Sequence, residues 1–300
     1  MSPSLPRISL VTACRNAAAT IERTLASVEA QRYPALEYIV CDGASTDGTL
    51  AIVERYRHLV TRVTSEKDKN VADAINKGFR QATGEIFAYL NADDCLAPGA
   101  LERVARAFAE NPQADAVTGA CLRVFADSSQ LVTRVPEHFP RLMSMRLDIE
   151  QPSTFWRASI HRRAGELDDS FYLTFDWEWW NRLLARGARF VVVDDVLSTY
   201  YFTEDNLTSR GGRRVIDEMY RVTRRYGPAR GRIADVYRFL FRAFDMHGYY
   251  DVPFERLPRA KQLVFGSTLS LLAKVFGKDA VYAYNWNWAS KQVRGMIWYK

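Results

Sequence analysis

The chain has 300 residues, 48% hydrophobic and 25% charged, which is apolar enough for a large core and excludes a disordered chain. Its net charge of +6 is uneven: residues 1–200 hold 23 Lys/Arg against 26 Asp/Glu, residues 201–300 hold 18 against 9. Four isolated cysteines, Cys14, Cys41, Cys95 and Cys121, form no CxxC pair, which argues against a disulfide framework or a cysteine zinc site and favours a reducing cytosol.

In chain order, apolar runs predict strands at Ile8–Val11, Leu36–Cys41, Val60–Thr64, Ile86–Leu90 and Ala116–Val124. Helical spacing falls between them, at Ile21/Leu25/Val28, Leu50/Val53/Tyr56, Val71/Ile75/Phe79 and Leu101/Val104/Phe108, with Pro98 suited to a first helical turn. Alternation of this kind predicts a doubly wound α/β domain with a mainly parallel sheet flanked by helices. Ligands of such sheets sit at the carboxyl ends of the strands.

Four polar clusters follow the predicted strands: Thr12 to Asn16, Asp42 to Asp47, Ser65 to Asn70 and Asn91 to Asp94. Adjacent carboxylates such as Asp93 and Asp94 repel each other unless something positive stands between them. Mg²⁺ and Mn²⁺ take oxygen ligands, commonly one or two carboxylates with substrate phosphates. A simple turn of Asp residues is the alternative. In "CDGASTDGT", Ser45, Thr46 or Asp47 suits a helix cap, whereas Asp42, last on its strand, is placed to accept hydrogen bonds from a base or ribose. Asp68 and Asn70 precede an amphipathic helix whose N-terminus favours an anion, or they form an ordinary charged loop.

Three segments, "ISLVTACRNAAATIERTLASVEAQRYPALEYIVCDGASTDGT", "DKNVADAINKGFRQATGEIFAYLNADD" and "QPSTFWRASIHRRAGELDDSFYLTFDWEWWNRL", resemble the family 2 glycosyltransferases of GT-A fold in order and spacing. The resemblance covers roughly residues 7–210. It implies that Asp42 contacts the nucleotide base, with Asp68 close by and Thr12 lining the same pocket. Asp93 and Asp94 match the DXD motif, whose last carboxylate holds the Mg²⁺ or Mn²⁺ that bridges the donor diphosphate. Asp176 matches the general base. The implied donor is a nucleotide sugar, with UDP preferred, and the acceptor a glycan or lipid-linked hydroxyl in bacterial surface polysaccharide assembly.

The sequence departs from the family pattern in places. Arg15-Asn16 stands where Tyr-Asn is common, Phe175 stands where a glutamate often precedes the base, and "STYYFTEDNLTS" lacks a histidine. "DWEWWNRLLARG" predicts a helix ended by Gly187, with Trp177, Trp179 and Trp180 mostly in the core and Glu178 a second candidate base. The four histidines, His58, His138, His161 and His247, show no metal-ligand spacing.

The expected organisation is a transferase domain over 1–210 and a basic, aromatic-rich helical region over 211–300. The latter has helical spacing at Val215/Met219/Val222/Tyr226 and Val236/Leu240/Phe244, a third apolar helix in "QLVFGSTLSLLAKVFG", and the tail "YAYNWNWASKQVRGMIWYK". No signal-like segment and no run of 18 apolar residues occurs, so a cytoplasmic protein is expected. Basic aromatic helices suit an anionic membrane surface, so peripheral attachment to the inner membrane stands beside a second option, packing on another subunit. No nucleic-acid motif accompanies the charge. The competing functional class is a catalytically silent, nucleotide-sugar-binding scaffold at the membrane. A nucleotidyltransferase is a third possibility, but the sequence shows no Gly-rich, Arg/Lys-bearing N-terminal loop to hold a triphosphate.

Overall fold

The computed structural model describes residues 5–136, 139–144, 147–202, 212–244 and 256–278. They form two compact units, one of Met1–Glu137 with Ile149–Phe202, the other of His138–Asp148 with Thr203–Lys300.

The first unit opens with β1 (Ile8–Cys14), α1 (Ile21–Glu29), β2 (Leu36–Asp42), α2 (Thr49–Arg55), β3 (Arg62–Ser65), α3 (Val71–Gln81) and β4 (Ile86–Tyr89). These strands are parallel, in the order β3-β2-β1-β4. β1 and β2 are almost continuously buried, as strands covered on both faces must be. Ile21, Leu25 and Val28 of α1 enter the same core. Helix α3 lies close against the sheet because Gly78 has no side chain: a Cβ there would stand 2.4 Å from a Val11 methyl.

Beyond β4 come β5 (Cys95–Leu96), α4 (Ala100–Glu110), β6 (Ala116–Phe125), β7 (Gln130–Thr133), and, in the second unit, α5 (Phe139–Leu142). The first unit resumes with β8 (Thr154–Arg157), α6 (Ala158–Ala164), α7 (Phe175–Ala185) and β9 (Phe190–Phe202). The sheet continues as β4-β8-β6-β9-β5, with β7 on β6. Here β8 is antiparallel to β4 and β6, and β6 and β9 are parallel. Pro98 lies ahead of α4 rather than in its first turn, because Gly99 takes a left-handed conformation (φ 70°) and the helix starts after it.

The second unit contains α8 (Gly212–Tyr226), α9 (Arg232–Ala243) and α10 (Arg259–Phe276). Val215, Met219 and Val222 of α8 are buried, as are Ile233, Tyr237, Leu240 and Phe241 of α9. Tyr237 meets Phe265 of α10 edge to face. His138, His247, Thr203 to Arg210 and the tail "YAYNWNWASKQVRGMIWYK" lie outside the described residues.

An aromatic cluster backs the junction of β4 and β8: Trp156, Trp179, Trp180, Phe79 and Phe87 surround one another and the buried His161. Trp156 Nε1 donates to His161 Nδ1 at 3.3 Å, so the neutral ring keeps its proton on Nε2. Burial pulls the imidazole down to about 4. Protonation penalises the folded state twice, by burying a charge and by removing the acceptor of Trp156. Stability is therefore fully present above the unfolded value of 6.5 and is lost as pH falls toward 4, by about 3 kcal/mol at most. Equilibrium unfolding of wild type and His161→Phe between these pH values should show the dependence flattened in the variant. An equally steep acid limb in His161→Phe would assign the loss elsewhere.

Candidate active site

Parallel pairing aligns the strand ends. Cys14, Asp42 and Ser65 are register partners across β1, β2 and β3, and Val11 stands opposite Tyr89 of β4. The polar clusters that follow these strands therefore share one edge of the sheet.

Asp42 is buried and heavily bonded. It accepts from the Ser45 backbone N–H at 2.9 Å, from the Ser65 hydroxyl at 2.6 Å and from the Ser45 hydroxyl. Ser45 Oγ in turn accepts from Asn16 N at 2.8 Å, and Asn16 Oδ1 accepts from Thr46 N at 2.9 Å. The loops after β1 and β2 are thus locked together around Asp42. The α2 cap is Gly48 and makes no side-chain capping bond. Asp47 bonds instead to Thr49 N and Ala18 N, spanning both loops. Thr12 is also fully buried, but its hydroxyl pairs with the Tyr38 hydroxyl at 2.9 Å and does not join the carboxylates.

Asp68 is brought to the same place. A Cβ on Gly43 would lie 2.9 Å from Asp68 Oδ2 and 3.3 Å from the Arg15 side chain, so position 43 leaves a narrow slot bounded by both. Lys77 of α3 bonds Asp68 at 2.7 Å and Glu66 at 2.9 Å, with Asp73 at 3.7 Å. Burial raises the Asp68 carboxyl above its ordinary range and outweighs the Lys77 contact, while the hydrogen bonds that Lys77 donates to Asp68 and Glu66 raise its ammonium. Three carboxylates share one cation, and the cluster keeps an acidic excess. The N-terminus of α3 is capped from within the chain: Asn70 Oδ1 accepts from Asp73 N, and Asp73 Oδ2 accepts from Lys69 N, each at 3.1 Å.

The Asn91–Asp94 turn is tied down by α1. Arg23 donates to Asp93 O at 3.0 Å and Thr24 to Asp94 O at 2.8 Å. The Arg23 guanidinium also stacks on Tyr201 at 3.4 Å. The Asp94 side chain is 0% exposed. Asn91 donates to its Oδ2 at 3.2 Å, while Oδ1 is buried and has no hydrogen-bond partner among the described residues. Burial, with the Asp93 charge second, raises Asp94 far above the usual carboxylate range; Asn91 and the Tyr201 backbone N–H offset this only in part. Burial likewise raises Asp93. Each buried carboxylate oxygen needs a donor or a cation, and no described residue donates to Asp94 Oδ1.

This donor set suits a hard divalent cation in part. Among the described residues no group of three or more His, Cys, Asp or Glu forms a complete metal site. Two carboxylates would hold the ion only with further oxygens from substrate and water, which is how Mg²⁺ is usually kept by proteins that bind phosphates.

Asp176 lies in the first turn of α7, half-buried, and its Oδ1 accepts from Trp177 N at 2.7 Å. The Tyr89 phenol, raised by burial, feels Asp176 next and then Asp94. The two carboxylates therefore bear on one residue at the end of β4. Glu178, the second candidate base, is fully buried and held by Arg182 at 2.7 Å. All three tryptophans of this helix are core.

Several supporting residues are not singled out by the sequence. Gln151 donates to Tyr89 O at 2.6 Å and accepts from Asn91 at 3.2 Å, so it fixes the amide that reaches Asp94. Arg123 pairs with Glu150 at 2.5 Å. Tyr200 stands half-buried near Asp93 and Asp94, both of which help burial to raise its phenol. Gln151 stands inside "QPSTFWR", which is the only hint of it in the sequence.

Comparison with known proteins follows the same lines. A "poly-beta-1,6-N-acetyl-D-glucosamine synthase" of Staphylococcus epidermidis is 34% identical over 37% of this chain and 28% of its own. A Bacillus subtilis (strain 168) protein, provisionally assigned as the teichuronic acid biosynthesis glycosyltransferase TuaG, is 35% identical over 68% of this chain and 82% of its own. The chain spans 58% and 28% of the lengths of the first curated relatives it matches. The crystal structure of S. aureus TarS 1-349 in complex with UDP-GlcNAc superposes with a TM-score of 0.58 at 17% identity, covering 93% of this chain and 90% of that one. The mannosyltransferase PcManGT from Pyrobaculum calidifontis, in complex with GDP-Man and Mn²⁺, gives 0.58 at 20% identity, covering 94% and 86%. These superpositions show a shared GT-A α/β fold. The sequence profile described as glycosyl transferase family 2 matches residues 9–164, more than half of the chain, and with the interlocked strand-end loops and the acidic turn after β4 it places the chain in that family.

Proposed function

We propose that this protein is an inverting, metal-dependent glycosyltransferase. It moves a sugar from a nucleotide sugar, UDP-linked by preference, to a hydroxyl of a glycan or lipid-linked acceptor in surface polysaccharide assembly. The observation that carries the proposal is the buried, unpartnered Oδ1 of Asp94 at the carboxyl end of a parallel sheet. A carboxylate so desolvated is a cost to the fold unless a ligand completes it. Two solved structures of the same fold, holding UDP-GlcNAc in one case and GDP-Man with Mn²⁺ in the other, support that completion.

In this proposal Asp42 and Asp68 receive the base and ribose, and Thr12 lines the same pocket. Asp94, with Asp93, holds the metal–diphosphate end; Mn²⁺ or Mg²⁺ bound there supplies Lewis-acid stabilisation of the leaving diphosphate. Asp176 removes the proton of the acceptor hydroxyl as its oxygen bonds to the anomeric carbon. The bond from that carbon to the diphosphate oxygen breaks, and its electron pair leaves with the nucleotide. One displacement from the opposite face inverts the centre and needs no protein nucleophile. Four free, buried cysteines agree with work in the reducing cytoplasm.

Thermal-shift and calorimetric titration with UDP-, GDP-, CMP- and dTDP-sugars, each with and without Mn²⁺ or Mg²⁺, tests the donor half. Stabilisation by one nucleotide family only when the metal is present is the expected result. No binding by any of them, with the protein folded, would overturn the proposal and favour a silent scaffold.

A further inference from the structure

Helix α10 is apolar on both sides, the pattern of a helix buried all round. Its inner side is packed: Phe265 is fully buried against Tyr237 of α9. Its outer side is not. Leu263 is 68% exposed, Leu271 61% and Val275 63%, and at 100° per residue these three share one 120° face with Lys274 among them. From residue 256 to residue 278 the sequence holds Arg256, Arg259, Lys261, Lys274 and Lys278 and no acidic residue.

Two properties of this face narrow its occupant. Self-association through it would set two all-cationic helices against each other, which repels. An ordinary soluble surface would not spend three large aliphatic side chains in water on one stripe. Apolar side chains rimmed by cations match the boundary between acyl chains and anionic headgroups. No described helix is long and apolar enough to cross a membrane, so α10, about 27 Å long, would lie in the interface plane.

We infer that α10 docks this protein onto an anionic lipid bilayer, with Leu263, Leu271 and Val275 inserted below the headgroups and Lys274, Lys278 and Arg259 paired with lipid phosphates. The inference is independent of the transfer chemistry, because it is read from binding alone. It puts the second unit of the chain on the same surface as a lipid-linked acceptor.

The test uses the full chain and sedimentation with vesicles of phosphatidylcholine alone or mixed equally with phosphatidylglycerol. Wild type should bind the anionic vesicles and release as salt rises. The triple variant Leu263→Ser/Leu271→Ser/Val275→Ser should bind about tenfold more weakly or less, with unchanged circular dichroism, since all three positions are mostly solvent-exposed. As a second readout, Leu271→Cys labelled with an environment-sensitive fluorophore should shift to the blue on anionic vesicles; all four native thiols are buried, so the new one reacts selectively. Undiminished binding by the triple variant, or a label that stays in water, overturns the proposal. So does wild-type self-association that the triple variant abolishes without vesicle binding, which would make a second copy the occupant.

Discussion

Asp94→Asn will abolish metal-dependent donor binding and, in the same preparation, make the metal-free protein more stable. The two effects share one cause. Asp94 is fully buried, one of its oxygens has no partner, and Asp93 adds a second negative charge beside it. An amide fills the same volume, keeps an oxygen for the Asn91 donor, and turns its NH₂ toward the carboxylate side. Removing an uncompensated buried charge should add about 1–3 kcal/mol, seen as a rise in Tm of a few degrees. Because burial raises this carboxyl in the folded state, its cost is absent well below the unfolded value of 3.8 and grows as pH rises above it. The gain of the variant should therefore be clear at neutral pH and vanish in acid. Transfer should fall about 10³-fold, the usual loss when one electrostatic stabiliser of a leaving group is removed. Mn²⁺-dependent binding at wild-type strength would sink the assignment. A fall in Tm would instead make Asp94 a structural anchor for the α1 contact made by its backbone.

The first four strands, their mainly parallel pairing and the helices between them were legible in the sequence because each carries its own period, apolar runs for strands and three-four spacing for helices. Their junctions were legible too, since polar residues stop where the sheet stops. Less was visible after β4. Strand β5 is two residues long and exists through pairing with β9, a hundred residues away, and β8 is short and antiparallel between longer neighbours. No local pattern encodes such pairings. The acidic pair announced itself by adjacency, yet what makes it chemically unusual does not appear in "NADD". Tyr200 and the Tyr201 backbone N–H reach it from the end of β9, its restraint comes from Arg23 and Thr24 on α1, and its orientation from Gln151 through Asn91. At Thr12, whose place beside the strand end reads as pocket lining, the strand pattern does not show that the hydroxyl is paired with that of Tyr38.

Asp176→Asn should separate chemistry from binding. The residue sits in the first turn of α7 and its Oδ1 accepts the Trp177 N–H, a bond that an asparagine oxygen reproduces, so the helix start and the fold should be kept. What the amide lacks is the ability to take a proton. Without a base, the acceptor hydroxyl must attack unactivated, and kcat should fall about 10³-fold, while the thermal shift produced by donor with metal stays close to wild type. Asp176→Glu, which keeps the carboxylate one methylene out of place, should retain a measurable fraction of the rate. Wild-type acid dependence of kcat should disappear from the residual activity of the asparagine variant, a change that a purely structural role would not produce. Undiminished transfer would remove Asp176 from the mechanism; equal losses of donor binding and rate would move it to the donor side. Glu178 offers no rescue in either variant, because it is fully buried and both of its contacts with Arg182, at 2.7 and 3.2 Å, hold it on the core side of the helix. One turn of α7 thus carries two carboxylates with opposite duties, one holding the part-buried Arg182 guanidinium and one at the helix start whose charge reaches Tyr89.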